Sequence, residues 1–234
     1  MPARRPGGTL VVGDGVDVEV LGTTITAVGR RGKVLVLHTD GPTVGVHFGM
    51  TGRLLRDAVA AIDRLAYSPA GNDPVWDRWI VCLDDGSRVR LHDPRRLARV
   101  WLDPDIGRLG PDVLTVHRRD LAAVLARRRA PVKAVLLDQQ AVAGLGNLLV
   151  DEVHWWSSIN PHRPAASLDA GETAALHRAI RRRLPVMLRR GGSHTGTLSP
   201  ELRVAGGRCL RDGAALRRDV VGGRTSVWCP SHQH

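Results

Sequence analysis

The stretch PVKAVLLDQQAVAGLGNLLVDEVHWWSSINPHRP, Pro131 to Pro164, decides how this chain is read. It joins an apolar helical run to a glycine-punctuated turn and then to a second helical run. Pro131 suits the first turn of a helix, where its missing N–H is not needed, and Val132, Val135 and Leu136 follow at helical spacing. Gly144 and Gly146 mark a sharp turn in which a side chain would collide with closely approaching backbone. Asn147 then stands where a helix N-cap belongs, an uncharged amide at the head of exposed backbone N–H groups. A helix start of that kind is a good receptor for a phosphate oxygen.

The bland alternative is an ordinary helical hairpin, and composition favours a polyanion partner instead. The chain carries 34 Lys+Arg against 23 Asp+Glu, a formal charge of +11, so counterion release would reward nucleic-acid binding in a salt-sensitive way. Only Lys33 and Lys133 among those basic residues are lysines. Arginine keeps its proton at any useful pH, whereas lysine acts as a proton carrier or amine nucleophile, so the two positions are chemical candidates as well as chance survivors. At 234 residues and 43% hydrophobic, the chain has material for one large or two modest cores. No apolar run is long enough to span a membrane, and Asp14, Asp17 and Glu19 interrupt the valines after the basic MPARRPGG start, which predicts an intracellular protein. Cys82, Cys209 and Cys229 give no disulfide framework.

Patterning changes once, near residue 104. Before it, Thr24–Val28, Lys33–Thr39, Thr43–Phe48, Trp79–Leu83 and Arg88–His92 read as short strands, with Asp40-Gly41 and Asp85-Gly86 as turns, and predict a β-sandwich or barrel. Ala58–Pro74 reads as a looser excursion. After a linker come helical patterns at Arg119–Arg129, Val132–Gln139, Leu148–Ser157 and Ala170–Arg190, with Pro185 expected to kink or shorten the last. The Arg127–Arg129 and Arg181–Arg183 runs read as solvated helix faces, and His38, His47, His92 and His154 as core or surface histidines. The expected fold class is α+β multidomain, with a β-sandwich at 1–103, a linker at 104–118, helices at 119–193 and extended pieces at 194–234.

Those last residues present Cys209-Leu-Arg-Asp212 and Cys229-Pro-Ser-His232, two donor pairs with two residues inside each and sixteen between them. Each short loop brings two donors to one ion, the spacing of a zinc-ribbon hairpin. Asp212 is the irregular member, a harder donor for which His194 or His234 is an alternative, and a metal-free hairpin is the other reading. Either way the ribbon would carry Arg224 at its Gly222-Gly223 tip.

Taken in order, Arg30-Arg31-Gly32-Lys33, His47-Phe48-Gly49-Met50-Thr51-Gly52-Arg53-Leu54, Asp93-Pro94-Arg95-Arg96, Leu109-Gly110-Pro111-Asp112, Lys133 with Leu136-Leu137-Asp138-Gln139, Gly144-Leu145-Gly146-Asn147, Glu152 and the terminal ribbon resemble the formamidopyrimidine-DNA glycosylase and endonuclease VIII family of base-excision repair enzymes. Each motif alone is weak; their ordered sum covers most of the chain. The resemblance implies an N-terminal β-sandwich, a helix-two-turns-helix domain at 119–193, a zinc finger at 194–234, and double-stranded DNA with a damaged base or abasic site held in a cleft. It implies a monomer, cytoplasmic and associated with the nucleoid, with structural Zn2+ held by Cys209, Asp212, Cys229 and His232.

Carried over by position, the resemblance gives Asn147 and Arg224 phosphates to grip, Met50 with Arg95 or Arg96 the task of filling the space left by an extruded base, and Leu97 a place where an aromatic is common. Lys33 would contact phosphate and assist the chemistry, and Lys133 would lie near the base pocket. Base extrusion costs a few kcal/mol, which such contacts offset. The nucleophile implied is Pro2, a secondary amine exposed by loss of Met1 and titrating near pH ~8, hence partly neutral in the cell. Here the pattern departs: Ala3 replaces an expected glutamate, Arg4, Arg5 and Pro6 follow, and Lys33 comes early. Three readings follow from the departure. They are an active glycosylase and lyase using Pro2 with Glu19, Glu152 or water handling protons, a chain that begins downstream of the true start, and a non-catalytic damage binder.

Overall fold

The computed structural model describes residues 22–57, 59–60, 62, 65, 68–69 and 71–234, and the backbone of 8–11. The chain forms two compact units, Met1–Ile106 and Gly107–His234.

The N-terminal unit is built from two antiparallel sheets. The first runs β1(Gly8–Val11), β7(Asp77–Leu83), β8(Arg88–His92), β5(Arg53–Arg56), β6(Val59–Ala60); the second runs β2(Ile25–Arg31), β3(Val34–Thr39), β4(Val44–His47), β9(Arg99–Leu102). Hairpin connections make neighbours of sequential strands, as in β2–β3, where Arg31 pairs with Val34 across a two-residue turn of Gly32 and Lys33. Alternation then sends one face of each sheet inward: Val44 and Val46 from the second sheet pack with Trp79, Val81 and Leu91 from the first. The sequence-level strands hold, and β1, β5, β6 and β9 join them. β5 is four residues with an arginine at each end and β6 only two, so their alternation is too brief to read.

The C-terminal unit contains α1(Arg118–Ala126), α2(Val132–Leu137), α3(Asn147–Ser157), α4(Ala170–Arg189) and the hairpin β10(Arg217–Val221)–β11(Arg224–Trp228). Leu121, Leu125, Val132, Leu136, Val150, Val153, Leu176, Ile180 and Leu184 form one continuous core across the four helices. α4 opens with a reciprocal cap, Glu172 N donating to Asp169 Oδ1 (2.8 Å) and Asp169 N to Glu172 Oε2 (2.9 Å). Pro185 does not shorten this helix. It removes one N–H donor, but Ile180, Leu184 and Met187 are all buried on the inner face, and that packing carries the helix on to Arg189. The second half of the expected linker belongs here too, since Gly110 N donates to the Gln139 carbonyl and Asp112 bridges Ala143. No helix among the described residues is long and apolar enough to cross a membrane.

Candidate nucleic-acid interface

The turn delivers α3 from Gly144 at φ 117°, which requires glycine. At Gly146, φ −113°, nothing lies within 4 Å of a would-be Cβ, so the close backbone approach expected there is not found. Gly146, not Asn147, is the N-cap residue, and among the described residues no side-chain cap bonds the first N–H groups. Asn147 is shifted into the first helical position because its amide is engaged elsewhere: Nδ2 donates to the Thr225 carbonyl at 2.8 Å. The same carbonyl accepts from Lys133 Nζ, also at 2.8 Å. Thr225 follows Arg224, which is exposed at the start of β11, beside the Gly222-Gly223 turn. Gly222 lies at φ 60° with only 2.9 Å from a would-be Cβ to Ala134 Cβ, so the hairpin tip seats on α2 in a conformation and a space that both require glycine. The start of α3 and the exposed Arg224 residue are thus tied together through one clasped carbonyl, that of the residue after Arg224. This is an arrangement suited to anionic oxygens.

Lys133 is therefore not a surface contact. Its side chain is wholly buried and ion-paired with Asp151 at 2.7 Å. Burial lowers its pKa, and the Asp151 charge and hydrogen bond oppose that fall. The motif alone leaves this hidden, because a lysine in an apolar helix looks like a chemical group until its partner one helix away is seen.

Glu152 is not a free acid either. It is buried and accepts from Thr197 N (2.9 Å), Leu198 N (3.0 Å) and Trp156 Nε1 (2.9 Å). Arg183 lies 4.1 Å over the Trp156 ring and reaches Thr197 Oγ1 at 3.2 Å. This cluster fixes the 193–199 segment after α4, and it takes Arg183 out of the solvated run that its neighbours suggest.

Cys209, Asp212, Cys229 and His232 come together, with their donor atoms all within 4.8 Å of one another. His232 turns Nδ1 inward, 2.9 Å from Asp212 Oδ2 and 3.6 Å from Cys209 Sγ. Cys209 Sγ receives the Trp155 indole N–H (3.3 Å) and the Arg211 N–H (3.4 Å), as a thiolate ligand would. Asp212 takes the fourth place, and neither His194 nor His234 belongs to the group. Two sulfurs, one imidazole and one carboxylate are a donor set that can hold a metal ion.

In the N-terminal unit, Asp93 organises the turn bearing Arg95, Arg96 and Leu97. Buried, it accepts from Leu97 N and Ala98 N (each 2.6 Å), from Arg95 N (3.2 Å) and from the Thr51 hydroxyl. Burial opposes its ionisation, and these hydrogen bonds outweigh burial and hold the carboxyl below its ordinary value. Arg96 is pinned in the left-handed region at φ 55°. Gly49, at φ 60°, abuts the Leu97 backbone so closely that a Cβ would come within 2.6 Å, and this brings Met50 to the same place. Met50 Sδ lies 3.7 Å from Arg95 Nη1, and Met50 and Leu97 are 54% and 41% exposed, a solvent-facing apolar pair flanked by cations. Lys33 stands exposed at the β2–β3 turn, and its charge, with that of Arg99, adds to burial in lowering the His47 pKa. Pro2, Ala3 and Glu19 lie outside the described residues.

Comparison with known proteins bears on these arrangements. Residues 7–100 match the model of the formamidopyrimidine-DNA glycosylase N-terminal domain and residues 109–199 that of the formamidopyrimidine-DNA glycosylase H2TH domain. The chain is 35% identical over 233 residues to the formamidopyrimidine-DNA glycosylase of Chloroflexus aggregans, covering 90% of this chain and 81% of that protein. It is 36% identical to the Moorella thermoacetica protein of the same name, covering 89% and 74%. Among solved structures, the MutM (Fpg) protein of Thermus thermophilus matches with a TM-score of 0.77 at 28% identity, covering 97% of this chain and 92% of that one. The Lactococcus lactis enzyme bound to DNA containing an abasic site shares the fold, with a TM-score of 0.77 at 24% identity over 97% and 91%.

Proposed function

The chain belongs to the formamidopyrimidine-DNA glycosylase family, and from that premise we propose how its residues divide the work. It is a base-excision repair DNA glycosylase with abasic-site lyase activity, acting on double-stranded DNA that carries damaged bases or abasic sites. The observation that carries our assignment of residues is the clasp on Thr225, where the start of α3 and exposed Arg224 are tied through one carbonyl held by Lys133 and Asn147. In this reading α3's first N–H groups and Arg224 take phosphate oxygens, Asn147 sets the helix start against the hairpin, and Met50, Arg95 and Arg96 fill the stack where a nucleotide is extruded. Lys33 contacts phosphate near the reacting sugar. Lys133 acts through Thr225.

The chemistry is assigned to Pro2. Its nitrogen lone pair forms a bond to C1′ of the nucleotide, the bond from C1′ to the base nitrogen breaks, the base departs with a proton, and the proline nitrogen gives up its own proton. Ring opening gives an iminium, and loss of a C2′ proton then expels the 3′ phosphate. We leave Glu152 out of this proton traffic because Thr197 N, Leu198 N, Trp156 Nε1 and, at 3.4 Å, Arg183 Nη2 already engage it, and we assign the role to water or a group among the first residues.

We assign the Cys209, Asp212, Cys229 and His232 group to a structural zinc ion, which would fix the two knuckles and hence the hairpin that carries Arg224. We divide the chain as a β-sandwich at 1–103, a linker at 104–118 whose second half packs with the C-terminal unit, the helix-two-turns-helix domain at 119–193 and the finger at 194–234; the compact-unit boundary after Ile106 falls within that linker. We place the protein in the cytoplasm with the nucleoid, working as a monomer.

The test is borohydride trapping on duplex DNA bearing one abasic site, with mass mapping of the crosslinked peptide. A crosslink at Pro2 is expected. A crosslink at Lys33 would transfer the nucleophile's role there, and no crosslink with salt-sensitive binding retained would sink the assignment of Pro2.

A further inference from the structure

We propose that Asp151 is a positioning residue that sets the register of the finger hairpin against α3 and so places Arg224. The proposal rests on the reading of Arg224 as a phosphate contact. Asp151 is 1% exposed and stands in the middle of α3. One of its oxygens accepts from Lys133 Nζ at 2.7 Å and lies 3.4 Å from Ser226 Oγ; the other accepts from Arg203 and from Val227 N at 3.2 Å. Lys133 in turn donates to the Thr225 carbonyl. A single carboxylate, with its lysine, therefore grips three consecutive residues of β11, at 225, 226 and 227. Arg224 is the next residue back along that strand and heads the turn seated on Ala134.

Stability alone does not account for this arrangement. Apolar side chains of the same volume usually stabilise as well as or better than buried ions, because three charges must leave water. Charged groups do specify one pairing over another, and a slip of one residue in a strand sends every side chain to the opposite face. A slip of β11 would move Arg224 off the side shared with the start of α3. The hairpin has only two strands, joined by two glycines, so its own pairing resists such a slip weakly; the metal-ligand group holds the Cys229 end of β11, and Asp151 holds the end that carries Arg224.

The experiment is a double-mutant cycle on binding to duplex DNA bearing a reduced abasic site, using the full chain as wild type, Asp151→Asn, Arg224→Ala and both together, with bound zinc and the melting transition of each measured alongside. The expected result is that Asp151→Asn weakens binding about tenfold when Arg224 is present and less than about twofold in the Arg224→Ala background, with zinc content unchanged. Equal losses in both backgrounds, or no loss in the first, would overturn the proposal. Should Asp151→Asn fail to fold, Arg203→Gln takes its place, since it removes one cation and leaves the Lys133 pair; the same non-additivity is expected, and simple additivity overturns the idea. If Arg224→Ala itself leaves affinity unchanged, the phosphate-contact reading falls and this proposal falls with it. If Arg224→Ala weakens binding and Asp151→Asn does not, only the positioning role is lost.

Discussion

Asp93 in the N-terminal unit and Asp151 in the C-terminal unit are 0% and 1% exposed, and each organises a segment assigned to DNA, but they are partnered in opposite ways. Among the described residues the Asp93 carboxylate accepts only neutral donors, three backbone N–H groups and a hydroxyl, and all three amides lie within five residues of it. Asp151 accepts from two cations that come from α2 and from the turn before the hairpin. A carboxylate cradled mainly by local amides behaves like a helix cap, shaping one turn and drawing only a neutral hydroxyl, that of Thr51, from elsewhere. A carboxylate shared by distant cations ties separate pieces of chain together, and each cation depends on it.

That difference predicts unequal losses. Asp151→Ala leaves Lys133 and Arg203 buried with no counter-charge, and should destabilise the C-terminal unit by about 3–5 kcal/mol in urea unfolding. If Asp151→Ala and Asp93→Ala cost the same, the contrast between the two carboxylates is wrong. The pH dependence should separate the units next. Buried His154, near Asp151 and Lys133, has its pKa lowered from 6.5 to about 4, mainly by burial, with the Val150 carbonyl opposing. The unfolded chain therefore binds the extra proton first, and stability is lost as pH falls from 6.5 towards 4, by about 3 kcal/mol in full. Asp93 is depressed below the ordinary carboxyl value of 3.8, so its contribution persists through that window and is lost only beneath it. His154→Leu should flatten the acid limb of the C-terminal unit and leave that of the N-terminal unit alone, as followed by unfolding at several pH values.

Asp93→Ala should cost about 1–3 kcal/mol, because the freed amides lie in a turn that can reach water. It should also blunt the proposed wedge of Met50, Arg95 and Arg96, lowering base-excision rate more than affinity for an abasic duplex; the reverse split would reassign the wedge. The smallest effect expected is on salt dependence. Arg224→Ala should reduce the slope of log K against log salt by about 1, while Met50→Ala leaves the slope unchanged. Equal slopes would remove Arg224 from the phosphate contacts.

Much of this was legible in sequence. Alternation announced the sandwich, Gly144-Leu145-Gly146 announced the turn into α3, and the donor spacing announced the Cys209, Asp212, Cys229 and His232 group. Such signals are local, carried by periodicity or by residues a fixed distance apart. What stayed hidden depends on partners far along the chain. Lys133 looked like a group for DNA until Asp151 and Thr225 were seen to enclose it, and Glu152 looked like a proton carrier although its acceptors are filled from residues 197 and 198. Asn147 missed its expected cap by one position for the same reason, its amide being drawn to a strand 78 residues away.

The neighbouring tryptophans of α3 offer an optical use for this architecture. Trp155 is 4% exposed and donates to Cys209 Sγ, while Trp156 is 40% exposed under Arg183. Two adjacent indoles thus look in different directions, one into the metal-ligand group and one onto the 193–199 segment. In Trp156→Phe the remaining α3 indole should change its emission when metal is stripped and resist acrylamide. In Trp155→Phe it should be quenched readily. Trp76, Trp79, Trp101 and Trp228 are common to both variants, so the difference between them separates the metal-ligand side of α3 from its 193–199 side.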